Sequence, residues 1–249
     1  MCGITGIVRS RTAEATWHSP DVLRRMADSM LHRGPDGYGE HVTPEVALAM
    51  RRLSIIDLSG GQQPLFSEDG SVALVANGEI YNHRPLRAEL EALGHRFRSH
   101  SDCETIVHAY EEFGDACVTR LRGMFAFALH DTRRRRVLLA RDRLGEKPLY
   151  LANVSGCLVF ASELRSLLAS GIVPVRFDAS SLYTFFHYGY IPEPHTAIAG
   201  VRKLPAGHLL AISLDDGAET LSRFWSLHDA PPRRASVEEA SALVQEIAG

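Results

Sequence analysis

Apolar residues in this chain come in short runs, punctuated by glycine, proline and acidic turn residues. The run over residues 2–8, "CGITGIV", predicts a strand. In "SPDVLRRMADSMLHRG" Val22, Leu23, Met26 and Met30 share one helical face. Ser19 stands in the cap position, Pro20 in the first turn and Gly34 just past the end. "VALAM", "LSIID" and "SVALVANGEI" read as strands, with "EDG" as a turn between the last two. "RPLRAELEALG" and "SDCETIVHAYEEFG" read as helices, and Ser101 with Glu104 has capping-box spacing. "GMFAFALHD" with "RVLLARD", and "PLYLA" with "CLVFAS", predict two hairpins of buried strands. "SELRSLLASG" predicts a short capped helix and "DASSLYTFFHYG" a largely apolar one. "HLLAIS", the turn "DDG" and "ETLSRFW" follow. Several hairpins and two early helices predict an α+β layered fold dominated by antiparallel sheet.

The pattern breaks at "HDAPPRRAS", which is polar and carries two prolines. Residues 2–229 form one predicted domain. Residues 230–249 read as a linker and a helix with Ser236 and Glu239 at capping-box spacing. That helix fits either the start of a further domain or a segment packed back on the first.

Composition adds exclusions. With 249 residues, 45% of them hydrophobic, the chain can bury a substantial core. A formal net charge of -3 gives no reason to expect nucleic acid or an anionic membrane as partner. The one basic cluster, Arg133–Arg136, sits between two strand-like runs and reads as a solvated hairpin tip. No apolar stretch is long enough to span a bilayer and no secretory signal opens the chain. The four cysteines, Cys2, Cys103, Cys117 and Cys157, form no CxxC pair, which suits a reducing cytoplasm. Cys103, Cys117 and Cys157 fall in helical or strand patterns and are expected to be buried and inert. The 12 histidines show no HExxH or comparable ligand spacing, so no metal site is expected.

The chemistry starts with Cys2. Methionine aminopeptidases remove Met1 when a small residue follows, which would leave Cys2 with a thiol and a free α-amine. An α-amine generally titrates near pH 8 and serves as a base. A thiol becomes a strong nucleophile once deprotonated. One residue would then supply both groups, the logic of N-terminal nucleophiles. Gly3 leaves room for close approach to the backbone. In "NGEIYN", Asn77 offers a side-chain amide donor and Gly78 a backbone N–H, a pair able to hold an oxyanion. Glu79 adds a carboxylate beside them. Asn-Gly is equally a hairpin signal. Arg51 or Arg52 could clamp a carboxylate, and in a strand the two point to opposite faces. Asp102 falls in the predicted first turn of a helix, where it either serves a site or simply complements the dipole.

Together these stretches resemble the N-terminal glutaminase domain of glutamine-dependent asparagine synthetases, which are class II glutamine amidotransferases. The similarity runs in order through "MCGITGIV", "HRGPDG", "RRLSIIDLSGGQQPL", "NGEIYN", "SDCET", "GMFAFAL", "RDRLGEKPLY", "ASELRSLL", "YGYIPEP", "VRKLPAGH" and "RFWSL". The resemblance implies an N-terminal nucleophile hydrolase fold, a four-layer αββα sandwich of two antiparallel sheets. It implies Cys2 as nucleophile, and Asn77 and Gly78 as oxyanion hole. Arg52, preceding "LSI", would bind the α-carboxylate of L-glutamine, and Glu79 and Asp102 its α-ammonium. Ile55 and Ile56 would lend backbone contacts. "HRGPDG" and "RDRLGEKPLY" either shape the glutamine pocket and the ammonia exit or serve as structural loops, and receive no catalytic role.

The resemblance also implies a synthetase partner, in cis or in trans, that uses ATP and Mg²⁺; this chain itself is expected to need no cofactor. The synthetase's pyrophosphate loop begins "SGG", but here Ser59-Gly60-Gly61 precedes "QQP" and reads as a turn. The acceptor of the ammonia stays open, as does a homodimeric state. A silent glutamine-binding module and a hydrolase of another amide are the rival readings. The presence of Cys2 opposes the first, and the Arg52, Glu79 and Asp102 set opposes the second. The N-terminal reading predicts that intact-mass measurement finds Met1 absent from the active protein. Activity in protein that retains Met1 would refute the role of the α-amine.

Overall fold

The computed structural model describes residues 1–10, 20–54, 57, 60–229 and 235–248. Ile55, Ile56, Ser19 and Ser59 lie outside the described residues, as does most of the predicted linker.

Among the described residues, twelve strands form two six-stranded antiparallel sheets. The first sheet contains β1 (Gly3–Arg9), β2 (Gly37–Val42), β3 (Val46–Arg52), β8 (Tyr150–Val154), β9 (Cys157–Ala161) and β10 (Val201–Lys203), in the order β10-β8-β9-β1-β3-β2. The second contains β4 (Leu65–Phe66), β5 (Val72–Ile80), β6 (Gly123–Asp131), β7 (Arg136–Arg141), β11 (His208–Ser213) and β12 (Glu219–Arg223), in the order β12-β11-β7-β6-β5-β4. Both predicted hairpins form, as β6–β7 and β8–β9.

The sheets pack face to face. Ile4, Val8, Leu48 and Met50 of the first meet Val75, Ala126, Ala128 and Leu139 of the second in one buried cluster. Period-two alternation turns the other side of each strand outward. Phe125, Phe127 and Leu129 face a layer of α2 (His83–Ala92), α3 (Glu104–Phe113) and α4 (Cys117–Arg120). Ile7, Val159, Ala47 and Ala49 face α1 (Pro20–Asp28) and α5 (Leu164–Ala169). The result is the expected αββα arrangement. No helix among the described residues is long and apolar enough to cross a membrane.

Some local expectations are corrected. The helix predicted from Ser19 to Gly34 stops as α1 at Asp28 and continues as turns. "LSIID" does not continue as a strand in its described part. The chain leaves β3 after Arg52, and Asp57 takes a left-handed conformation with φ 51°. Aspartate tolerates that region by bonding locally, and here Asp57 Oδ1 accepts the Gly60 N–H at 2.8 Å. The Ser101–Glu104 capping box does not form. Glu104 is buried and instead accepts the backbone N–H groups of Arg98 and Ser99 at 2.7 and 2.8 Å. A buried turn needs acceptors for its amides more than the helix needs a cap. Glu163 likewise makes no cap for α5; its carboxylate pairs with His32 and Arg33. The Arg133–Arg136 tip is tied by ion pairs to Asp69, Asp131, Glu45, Asp215 and Asp115.

Two helices leave apolar surface uncovered. In α6 (Ala179–Tyr188), capped by Asp178, Tyr183 and Phe186 are 74% and 82% exposed. In α7 (Val237–Ala248) the Ser236–Glu239 capping box does form. Val237 and Val244 are nonetheless exposed, so the described part of α7 buries no apolar stripe against the sandwich.

Leu139→Ala, in the inter-sheet core, should cost about 2–5 kcal/mol of unfolding free energy. Val237→Ala should change it by no more than about 0.5 kcal/mol. Urea denaturation of both variants checks the contrast. A large loss at Val237 would mean that α7 is part of the packed domain.

Candidate active site

Sheet stacking builds the site. Val46, Leu48 and Met50 of β3 point between the sheets, and the same alternation sends Arg52 inward. Ala47 and Ala49 point to α1, and Arg51 follows them to an ion pair with Asp28. The alternatives left by the sequence are thereby separated: Arg52 lines the cleft and Arg51 does not. On β5, Val75 points between the sheets, and Asn77 and Glu79 follow in the same register. The start of β1 and the ends of β3 and β5 thus converge at one edge of the sandwich.

The cleft there encloses about 120 Å³ and is lined by Cys2, Arg52, Asn77, Gly78, Glu79 and Asp102, among others. Six of the eight residues singled out from the sequence therefore come together; Ile55 and Ile56 lie outside the described residues. The Cys2 sulfur receives the Leu53 N–H at 3.4 Å and lies 3.6 Å from the Leu53 carbonyl. Arg33 Nε donates to the Cys2 carbonyl at 2.9 Å and its Nη1 pairs with Glu163 at 3.1 Å. Asn77 is buried, and its amide Nδ2 is a buried donor with no partner among the described residues. An orphaned donor of this kind costs about 1–3 kcal/mol, which a site recovers only through a ligand acceptor.

"NGEIYN" is not a hairpin. Asn77 and Gly78 pair with Ala126 and Phe125 inside a continuous ladder. Gly78 has no left-handed φ; it is glycine because a Cβ would lie 2.3 Å from the Met124 carbonyl oxygen. Gly3 is also explained differently from the expectation. It is buried, and its Cβ would meet Met30 Sδ at 3.0 Å, so it serves packing on the α1 side rather than substrate approach. Asp102 precedes α3 rather than sitting in its first turn. Its Oδ2 accepts the Ile80 N–H at 2.6 Å, which locks the carboxylate against the end of β5. Arg52 Nη2 donates to the Asp57 carbonyl at 2.5 Å.

The loops without an assigned role prove to be supports. In "HRGPDG" Asp36 accepts the Ser54 N–H at 2.8 Å, and its own N–H bonds the Arg52 carbonyl at 3.0 Å. In "RDRLGEKPLY" buried Asp142 accepts the N–H groups of Phe125, Leu144, Glu146 and Lys147. Arg141 donates to the Lys147 carbonyl at 2.8 Å. Together they hold Lys147 at the cleft, where its Nζ lies 3.5 Å from Met1 Sδ.

Leu53, Gln63 and Cys103 are cleft residues that sequence reasoning missed, and Lys147 was expected there only as part of a pocket-shaping loop. Gln63 bonds both backbone groups of Ala76, at 3.1 and 2.6 Å, and so extends the edge of β5 beyond its short pairing with β4. The acidic and basic residues of "RDRLGEKPLY" were a signal for Lys147. Nothing in the pattern marked Leu53, which acts through its backbone. Cys103 is buried as expected but lines the cleft. Burial and the adjacent Asp102 push its thiol well above the usual range. Burial pushes the Cys117 thiol up to about 12 and raises that of Cys157. All four thiols are free.

The family profile of the glutamine amidotransferase domain matches residues 1–225. Glutamine-hydrolyzing asparagine synthetase 2 of Bacillus subtilis (strain 168) is 40% identical over 237 residues, 92% of this chain and 31% of that protein. Asparagine synthetase 1 of the same strain is 34% identical over 247 residues, 99% of this chain and 38% of that protein. The chain spans about a third of the length of the curated relatives it matches. Among solved structures, glutamine phosphoribosylpyrophosphate amidotransferase from B. subtilis, complexed with ADP and GMP, shares the fold. Its TM-score is 0.65 at 21% identity, over 90% of this chain and 49% of that one. A profile covering nearly the whole sandwich, and similarity that begins at the cleft-forming N-terminus, lead to one conclusion: the chain belongs to the glutamine amidotransferase domain family.

Proposed function

We propose that this chain hydrolyses L-glutamine to glutamate and ammonia through a γ-glutamyl thioester on Cys2. The observation that carries the reading is the orphaned Asn77 amide donor, buried in the cleft that also holds the Cys2 thiol. Glutamine is a zwitterion with a carboxamide tip. Arg52 suits its α-carboxylate, and Glu79 and Asp102 suit its α-ammonium group. The Ile80 N–H and the Asp57 carbonyl keep Asp102 and Arg52 in place without any rearrangement of the sheets.

Met1 is part of the cleft wall beside Cys2. Its removal would widen the cleft and free the Cys2 α-amine. The amine takes the thiol proton, and the thiolate attacks the carboxamide carbon. The resulting oxyanion is held by Asn77 Nδ2 and the Gly78 N–H. The C–N bond breaks as the amine returns the proton, and ammonia leaves. Water then adds to the thioester, glutamate departs, and the proton returns to sulfur.

The ammonia passes to a synthetase domain, in cis or in trans, as the names of the relatives suggest. Their greater length supports this, since the chain covers 31% and 38% of two of them. That domain, not this one, would use ATP and Mg²⁺ to activate aspartate. The exposed aromatic face of α6 is an apolar surface suited to contact with it.

Cys2→Ala should abolish glutamine hydrolysis in a coupled glutamate assay. Asn77→Ala should lower kcat by about 10²–10³ with little change in KM, because its donor acts on the oxyanion. Arg52→Gln should instead raise KM by roughly 10- to 100-fold, the loss expected of a charge-assisted pair. Equal effects of both variants on KM alone would overturn the division of roles. An electrophilic glutamine analogue should label Cys2 and spare Cys103, Cys117 and Cys157, whose thiols burial keeps protonated. Peptide mapping that placed the label elsewhere would refute the assignment.

A further inference from the structure

The spacing of the histidines gives no metal motif, yet folding assembles a ligand set from three separate segments. Glu68 follows β4, His95 follows α2, and His108 and Glu111 stand three apart on one face of α3. One ligand-type atom from each of the four lies within 4.8 Å of the others. His108 Nδ1 is 3.2 Å from Glu111 Oε2 and 3.6 Å from Glu68 Oε2. His95 Nδ1 is 3.8 Å from Glu111 Oε2 and 3.9 Å from Glu68 Oε1. A tetrahedral Zn²⁺ with bonds of about 2.0–2.2 Å needs ligand atoms roughly 3.3–3.6 Å apart. The four side chains therefore need to draw together from separations of up to 4.8 Å, by up to about 1 Å, to close on an ion.

The surroundings fit as well. His95 Nε2 turns to a further carboxylate, Glu112, at 3.4 Å, while His108 Nε2 lies 3.6 Å from Glu104, beyond hydrogen-bond reach, and has no hydrogen-bond partner among the described residues. Such carboxylates fix the orientation and raise the basicity of metal-bound imidazoles. Glu104 is itself held by the Arg98 and Ser99 amides and the Ser99 hydroxyl. Glu68 Oε1 accepts the Arg96 N–H at 2.8 Å, which sets the direction of its other oxygen. Two imidazoles with two carboxylates supply both the charge and the ligand softness that a divalent first-row ion takes, rather than the all-oxygen shell of Mg²⁺ or Ca²⁺.

We propose that Glu68, His95, His108 and Glu111 form a four-ligand structural Zn²⁺ site. It clamps the β4–β5 turn and the α2–α3 connection onto α3, the helix that follows Asp102. With four protein ligands the site is closed, and it plays no part in the reaction at Cys2.

The test is a calorimetric titration of Zn²⁺ into chelator-treated protein carrying no polyhistidine tag. One ion per chain should bind with a submicromolar Kd. At roughly a hundredfold excess over Kd, Tm should rise by about 5–10 °C. Co²⁺ in place of Zn²⁺ should give the intense visible bands of a tetrahedral site. His95→Ala and Glu111→Gln, both at partly exposed side chains, should each weaken binding by more than roughly a hundredfold, beyond the loss of an outer carboxylate. Cys2→Ala should bind the ion unchanged, which separates this site from the thiol cleft. Absence of binding, parent-like affinity in either ligand variant, or loss of the ion in Cys2→Ala would overturn the proposal. In the first case the histidines serve only as partners of the carboxylates.

Discussion

Everything at the cleft depends on burial of two sheet faces against each other. The inter-sheet cluster of Ile4, Leu48, Met50, Val75 and Leu139 is the largest constraint on where β1, β3 and β5 can lie. Strand alternation makes that burial directional. Once Met50 and Val75 are committed to the interior, Arg52 and Asn77 have no choice of face, because each lies two residues farther along its strand. Cys2 packs at the rim of the same cluster. The polar groups of the site are thus placed by apolar neighbours, and the free energy of their placement comes from hydrophobic burial rather than from contacts among themselves.

Polar groups beneath the cleft make that placement rigid. Asp142, Asp36, Gln63 and Asp102 each accept backbone N–H groups that the sheets leave unpaired. Buried amides demand partners, so Asp142, Gln63 and Asp102 are as constrained as the core, while Asp36 braces the end of β3 from an exposed position. They also divide the labour of the conspicuous loops. "HRGPDG" carries Arg33 against Cys2 and braces the end of β3, while "RDRLGEKPLY" seals the start of β6 and presents Lys147. Asn77 differs from those side chains in that its amide Nδ2 is a buried donor without a hydrogen-bond partner among the described residues.

The helical layer over β5 and β6 couples to the cleft through α3. Asp102 lies just before that helix, and Glu104, His108 and Glu111 lie along it. The same short stretch therefore borders the Cys2 cleft and carries two of the four proposed Zn²⁺ ligands. A clamp on α3 would restrain the residue that fixes the end of β5.

The sequence by itself determined most strand and helix runs, both internal hairpins and the layered α+β class, and it singled out Cys2, Asn77, Gly78, Glu79, Asp102 and an arginine next to "LSI", which the fold brings to one cleft. Alternation and turn residues are local properties, and the ordered motifs made the family recognisable. It did not determine the turn at Asp57, the failed capping box at Glu104 or the reason for glycine at 78. The first and last follow from neighbours distant in the chain, His100 at Asp57 and Met124 at Gly78, and the second from a turn at Arg98 and Ser99 that folds back onto Glu104. The division between Arg51 and Arg52 needed the register of β3, and the histidine–carboxylate cluster needed three segments to meet. Local pattern encodes which face a residue shows, but only long-range packing decides what that face meets.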